Sequence, residues 1–261
     1  MTLFLIGLGL STEKDITIRG LEAVKQSDLV YLEDYTSLLQ CSFEDLEKFY
    51  GKKIIRADRN HSEQGITSIL EQAKTQNVAF LVVGDPLSAT THVEIVKQAN
   101  DLHIELEVIP NASVLTAVGM TGLQLYKFGK TTSIPFVEDH PNLETPYNVI
   151  KENQSLGLHT LCLLDLKPEQ NKFMTVPEAI IILEKIEQHK QEKILNENTL
   201  VVGCARLGSK DRIIKSGTTT KLKSIDFGKP PQCLIIPGKL HFAEEEMLWL
   251  WKIKHDDSTN I

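Results

Sequence analysis

Val78-Ala79-Phe80-Leu81-Val82-Val83-Gly84-Asp85-Pro86-Leu87-Ser88-Ala89-Thr90-Thr91-His92 is the stretch on which the fold turns. An apolar run rich in β-branched residues favours a buried strand. Gly84 permits an unusual backbone angle, and Pro86, with no N–H, cannot extend a ladder. The strand therefore opens at its carboxyl end into a small, hydroxyl-rich loop that leads to a helix. Open α/β sheets bind small ligands at such ends, which marks this segment as a binding loop. Within it, Asp85 can accept hydrogen bonds from a ligand or cap the loop itself. Thr90 and Thr91 are expected to cap the helix carrying His92 and Glu94. His92 reads as a helix-start histidine bonded to backbone rather than as a base.

Outward from this loop, strands alternate with helices. Residues 3–6 read as a strand ending at Gly7-Leu8-Gly9-Leu10, followed by a helix with Ile18, Leu21 and Val24 at helical spacing. Residues 29–32 read as a second strand, ending in the loop Glu33-Asp34-Tyr35-Thr36-Ser37. Helices are expected over 43–49, 66–76 and 92–102, and a strand over 105–109. Such alternation gives a mostly parallel sheet. Pro110-Asn111-Ala112-Ser113 then punctuates the chain. Beyond it, 114–123 reads as a helix of small residues, and 131–136, 160–164, 200–204 and 234–236 as strands. The clearest long helix is 178–191, with Ala179, Ile182, Leu183 and Ile186 at helical spacing. Two α/β domains are predicted, residues 1–112 and 113–261, the second with some antiparallel pairing, and a cleft between them.

The 261 residues, 41% hydrophobic and 24% charged, suit a soluble globular protein with ample core. A net charge of −7 argues against wholesale binding to nucleic acid or an anionic membrane. The positive charge of the second half (Lys127, Lys130, Lys210, Arg212, Lys215, Lys221, Lys223) reads first as solvated surface. The four cysteines form no CxxC pair and read as free thiols of a cytoplasmic protein, with no metal site. The apolar start lacks the basic region of a signal peptide, and no apolar run approaches a membrane span.

Several catalytic patterns fail. The third glycine of a GxGxxG would fall at Thr12, so a dinucleotide site is not expected, although two glycines there still let backbone approach a ligand. No cysteine has an electropositive context, and neither a GxSxG elbow nor a P-loop occurs. Glu244-Glu245-Glu246 reads as a solvated helix face, and Trp249 and Trp251 as packing groups.

The ordered blocks LIGLGL (5–10), Tyr35-Thr36-Ser37, GDP (84–86) with ATTH (89–92), and Asn111-Ala112-Ser113 run through the first half. QLYKFGK (124–130), GLHT (157–160), LDLK (164–167) and PGKLH (237–241) run through the second. This set resembles the diphthine synthase branch of the tetrapyrrole methylase superfamily over essentially the whole chain. The resemblance implies two α/β domains with S-adenosyl-L-methionine folded into the cleft between them, and a homodimer. It implies cofactor contacts at Leu10, Asp85, Ser88, Ser113, Val114, Leu164, Leu207 and Gln232. Ser88 stands where the branch often has Val or Gly, Val114 where Ile is frequent, and Gln232 where His is frequent, so no imidazole contact is available at 232.

The implied reaction methylates the amino group of a 3-amino-3-carboxypropyl-modified histidine of elongation factor 2, the protein partner, to the trimethylammonium. Eukaryotic relatives also methylate the carboxylate and tend to carry extra residues after the LDLK block. Here residues 168–172 join that block directly to the next helix start, which favours the three-methyl type. An activated methyl donor needs mainly alignment with the amine lone pair, in a water-poor site. Glu33, His92 and Asp165 are candidate proton acceptors by loop position alone, and Lys127, Lys130 and Arg206 candidate rim contacts for an acidic partner. The alternatives are a corrinoid or porphyrin-precursor methyltransferase of the same superfamily, or a non-catalytic S-adenosylmethionine-binding protein.

Overall fold

Each apolar run of the first half forms a parallel strand. In the computed structural model, which describes residues 1–33, 37–57, 62–88, 92–140 and 143–253, the chain divides into two compact units, Met1–Ala117 and Val118–Ile261. In the first, β1 (Thr2–Gly7), β2 (Leu29–Glu33), β3 (Ile55–Ala57), β4 (Val78–Val82) and β5 (Glu105–Ile109) lie in the order β3-β2-β4-β1-β5, all parallel. Connections run through α1 (Ile18–Gln26), α2 (Phe43–Tyr50), α3 (Ser62–Ala73) and α4 (Val93–Asp101).

Alternation along the central strands builds two cores. Phe4, Ile6, Ala79 and Leu81 pack with Val24, Leu32 and Tyr50 on one face. Leu3, Leu5, Val78 and Phe80 pack with Leu70, Ile95 and Ala99 on the other. Burial on both faces is why β4 reads as a continuous apolar run rather than an alternating one. Register sets Gly7 beside Val82, so the glycine turn and the GDP loop leave the sheet side by side at its carboxyl edge.

Residues 114–123 do not form one helix. A single turn, α5 (Val114–Ala117), passes into a 3-10 turn over Val118–Thr121 and ends at Gly122, φ +90°. A Cβ on Gly122 would lie 2.3 Å from Met247 Cβ, so the small residue there serves close packing within the second unit.

The second unit holds β6 (Thr132–Ile134), β7 (Thr160–Leu164), β10 (Leu200–Ala205), β11 (Ile213–Thr218) and β12 (Gln232–Ile236) in the order β11-β10-β12-β7-β6, with β8 (Leu166–Lys167) and β9 (Lys172–Phe173) as a small hairpin. All neighbours in the larger sheet are antiparallel except β6 and β7. Its helices are α6 (Thr145–Ser155), α7 (Val176–Lys190), α8 (Thr219–Leu222) and α9 (Phe242–Leu250). Thr175 and Glu178 close a capping box at the start of α7, whose Val176, Ile180 and Leu183 enter a core with Val201, Phe227 and Leu234.

Candidate functional site

The two loops at the carboxyl edge of the first sheet are bonded to each other. Gly9 N–H donates to the Gly84 carbonyl (3.2 Å), Gly84 N–H to the Gly9 carbonyl (2.8 Å), and Leu8 N–H to the Val82 carbonyl (2.8 Å). Gly9 and Gly84 both have φ near +80°, where a side chain is strained. Asn111 binds a third segment to this pair, its Nδ2 donating to the Gly7 carbonyl (2.9 Å) and the Asp15 carbonyl (3.0 Å). The sequence reading placed Asn111 in a hinge block and gave it no role. A short polar residue after a Pro was the only local signal.

Asp85 caps its own loop. Oδ1 accepts from Leu87 N–H (3.0 Å) and Ser88 Oγ (2.9 Å), while Oδ2 accepts from Asn111 N–H (3.1 Å). Ser113 Oγ accepts from Leu115 N–H at 3.2 Å. Asp85 therefore ties its loop to the Asn111 segment, Ser88 and Ser113 brace their own turns, and Leu10 and Val114, both partly exposed, supply the apolar members. Thr90, Thr91, Tyr35 and Thr36 lie outside the described residues.

His92 is bonded to backbone, as its position suggested: Nδ1 lies 3.1 Å from the Pro86 carbonyl, and a carbonyl only accepts, so Nδ1 carries a proton. Its Nε2 lies 3.3 Å from Glu33 Oε2. The Glu33 side chain is fully buried, and among the described residues neither oxygen receives a hydrogen bond. With both groups sealed inside the unit, neither presents a proton acceptor at the surface. Asp165 fixes a corner after β7, its oxygens accepting from Leu166 N–H (2.9 Å) and Phe136 N–H (3.3 Å).

In the second unit Leu164 ends β7, Leu207 follows β10, and Gln232 opens β12; all three are buried. Gln232 has no free amide. Its Oε1 accepts from Val176 N–H (2.9 Å) at the start of α7, and its Nε2 donates to the Gly228 carbonyl (3.0 Å). Arg206 is not a rim contact: it is 5% exposed, with its guanidinium turned inward. Lys130 is exposed and pairs with Glu152 (2.8 Å).

The branch motifs converge on one buried carboxylate. Glu244 is not on a solvated face; it is fully buried. Oε1 accepts from Gln124 N–H (2.9 Å) and His159 Nε2 (2.9 Å), and Oε2 from His241 N–H (2.8 Å) and the Lys127 ammonium. The same ammonium donates to the Lys239 carbonyl (2.7 Å), so Lys127 too is spent inside the protein. His159 Nδ1 accepts from Gly238 N–H (2.9 Å), which fixes the proton on Nε2. Burial pushes the Glu244 carboxyl up, but the Lys127 ammonium, two backbone N–H groups and His159 outweigh it and hold it down at about 2. Burial wins instead at His159, whose imidazole is lowered below its ordinary value despite the carboxylate. Trp249 departs from its expected packing role: it is 68% exposed, with the Lys252 ammonium 4.3 Å from its ring centre.

Burial raises the Cys41 thiol to about 11 and pushes the Cys162 thiol up further, so neither offers a thiolate at neutral pH. Among the described residues no group of three or more His, Cys, Asp or Glu could hold a metal ion, and no helix is long and apolar enough to cross a membrane. A glycine-floored edge with its polar groups committed to loop geometry suits binding and alignment.

The family model of the tetrapyrrole (corrin/porphyrin) methylases matches residues 2–223. The chain belongs to the tetrapyrrole methylase family. It is an S-adenosylmethionine-dependent methyltransferase. A diphthine synthase of Methanocaldococcus jannaschii is 47% identical over 94% of this chain and 97% of its own. A diphthine methyl ester synthase of Dictyostelium discoideum is 44% identical over 97% of this chain and 99% of its own. The crystal structure of a diphthine synthase, 39% identical, matches with a TM-score of 0.87, covering 97% of this chain and 96% of that one.

The first unit fits the family's cofactor on its own geometry. Among the described residues, a Cβ built on Gly84 would meet the Ala112 carbonyl oxygen at 3.8 Å and Leu10 Cδ2 at 3.9 Å. Among the described residues Gly84 therefore has room beside it, walled by Leu10 and by the backbone before Ser113, where an apolar ligand surface can rest on main chain.

Proposed function

We propose that this methyltransferase makes diphthine: it methylates the amino group of the 3-amino-3-carboxypropyl histidine of elongation factor 2 until the nitrogen is trimethylated. Likeness to diphthine synthases along nearly the whole of both chains carries the reading. The Glu244 network supports it, because the blocks YKFGK, GLHT and PGKLH are tied to one another through that residue.

S-adenosylmethionine supplies a methyl group already activated on a sulfonium. The chain's own part is to hold and orient. Leu10, Val114, Leu164 and Leu207 give apolar contact, while Asp85, Ser88, Ser113 and Gln232 fix the turns whose backbone meets the cofactor. Each methyl moves from sulfur to the neutral amine, so the acceptor must first lose a proton. Asp85→Ala removes three hydrogen bonds to a charged group, each worth about 1.5–3 kcal/mol. We expect S-adenosylhomocysteine to bind about 10- to 100-fold more weakly to this variant by titration calorimetry, and the midpoint of thermal unfolding to fall as well, because the same bonds hold the folded loop.

Three methyls is the endpoint favoured by chain length. Alignment with the Dictyostelium methyl ester synthase runs over 271 positions, more than the 261 residues of this chain, so that relative has inserted residues. Alignment with the archaeal diphthine synthase runs over 249. Mass spectrometry of modified elongation factor 2 after reaction is expected to show three added methyls on the histidine and none on unmodified factor. A fourth methyl would assign the methyl ester endpoint, and no transfer would sink the diphthine reading in favour of a corrinoid or porphyrin precursor. The reading includes a cytoplasmic homodimer, which light scattering checks; exposed Phe242, Trp249 and Leu250 on α9 give it an apolar face to bury.

A further inference from the structure

Arg206 is unusual in both backbone and side chain. Its φ of +50° lies in the left-handed region, a strain for an arginine that glycine would not incur. Its guanidinium is inside the protein, with four hydrogen bonds. Nε donates to Asp211 Oδ2 (2.8 Å), Nη2 to the Asp211 carbonyl (2.9 Å), and Nη1 to the carbonyls of Phe227 (3.0 Å) and Lys229. The backbone joins in: Arg206 N–H donates to the Pro231 carbonyl (2.9 Å).

Every one of these bonds is local to two segments, the turn after β10 and the strand approach 227–231. Leu207 is the next residue on the first segment, and Gln232 the next on the second. Gln232 is in turn pinned to the Gly228 carbonyl and to Val176 N–H, so the second segment is held at both ends.

We propose that Arg206 is a positioning residue for the cofactor, clamping these two segments so that Leu207 and Gln232 meet S-adenosylmethionine in a fixed register. The inference rests on the reading of Leu207 and Gln232 as cofactor contacts. Strain kept at a buried arginine needs the surroundings to over-determine it, and the surroundings here are those two segments. A lysine would keep the charge but could not fork to a carboxylate and three carbonyls. A glycine would keep the left-handed turn without strain and remove only the clamp. The clamp's one carboxylate, Asp211, is 63% exposed at its side chain, so Asp211→Asn loosens it without disturbing the interior.

The test uses the full chain with Arg206→Gly, Arg206→Lys and Asp211→Asn, measuring S-adenosylhomocysteine affinity by calorimetry, thermal unfolding, and kcat and KM with modified elongation factor 2. We expect affinity to fall at least tenfold in both Arg206 variants and about threefold in Asp211→Asn, with KM for S-adenosylmethionine rising in step and kcat at saturation within about twofold. Arg206 variants that fold and bind like the parent would overturn the clamp. So would a loss of activity that tracks only the folded fraction, since that describes a core plug. If either Arg206 variant fails to fold, Asp211→Asn decides: unchanged affinity in that folded protein overturns the proposal. Asp85→Ala separates the two levels. Weak binding there beside normal binding in the Arg206 and Asp211 variants sinks the clamp alone, whereas a parent protein that binds no S-adenosylhomocysteine takes down the cofactor reading with it.

Discussion

Glu244→Ala is expected to destabilise the protein by about 3–5 kcal/mol, the usual consequence of removing one partner from a buried charged pair. The variant leaves the Lys127 ammonium, the His159 Nε2–H and the N–H groups of Gln124 and His241 without their acceptor, in a place that water reaches poorly. Urea unfolding should show the loss as a lower midpoint at unchanged slope. Glu244→Gln should retain part of the stability, since an amide still accepts from two donors but cannot neutralise Lys127.

The same network sets the acid limb of stability. Glu244 has a folded value of about 2 against an ordinary 4.5, so its contribution is complete above 4.5 and disappears as pH falls through about 2. His159, lowered from 6.5, contributes in its neutral form above 6.5 and loses that contribution as pH falls below it. Stability plotted against pH is therefore expected to decline in two steps. His159→Gln should flatten the upper step and Glu244→Gln the lower; identical profiles in parent and variants would show that neither group titrates with folding.

Gly7→Ala is expected to disrupt the paired loops of the site. The added Cβ would sit 2.6 Å from the Gly84 carbonyl oxygen and 2.8 Å from Asn111 Cβ, and neither atom belongs to the free end of a flexible side chain. Overpacking of this kind costs about 1–3 kcal/mol. Relief would require the GDP loop to move off the glycine turn, giving up the paired Gly9–Gly84 hydrogen bonds at about 1 kcal/mol each. S-adenosylhomocysteine affinity is expected to fall more than a hundredfold, because the displaced backbone is the proposed floor of the site. Gly51→Ala is the control for added bulk alone: φ is +68° there, which strains an alanine, but among the described residues nothing lies within 4 Å of the new Cβ. It should lose about 1 kcal/mol and bind normally. Equal loss of binding in both variants would contradict a close-approach role for Gly7.

The first half was legible because its elements announce themselves. The run from Val78 is apolar on both faces and ends at Gly-Asp-Pro, and helix starts such as Ser42 carry the capping pattern that the fold uses. Much of the second half was not. In β11 the buried positions are Ile214 and Ser216, so the period of two is hidden behind a serine whose hydroxyl donates to the Leu248 carbonyl. Helix α6 begins Thr-Pro and has a polar sequence, with Asn153 buried to satisfy the Lys130 backbone. Glu244 was misread for a related reason. In a run of three glutamates, composition predicts water, and only contacts more than eighty residues away in sequence show which of the three is inside. At the site, the glycines, the GDP loop and the capping capacity of Asp85 were visible in the sequence, whereas the ties from Asp85 to Asn111 and from Gln232 to Val176 depend on distant partners that no local pattern names.

The mutual dependence of Lys127, His159, Gly238 and Glu244 limits how such a protein can be recombined. Each of the four comes from a different loop or helix start: Glu244 accepts from both Lys127 and His159, and His159 accepts from Gly238. A chimera that imports residues 124–130 alone from a methylase outside this branch would arrive with a mismatched lock, even where every helix and strand is preserved. The four have to be exchanged as a set, which makes this knot, rather than the sheet beneath it, the natural seam for grafting one family member onto another.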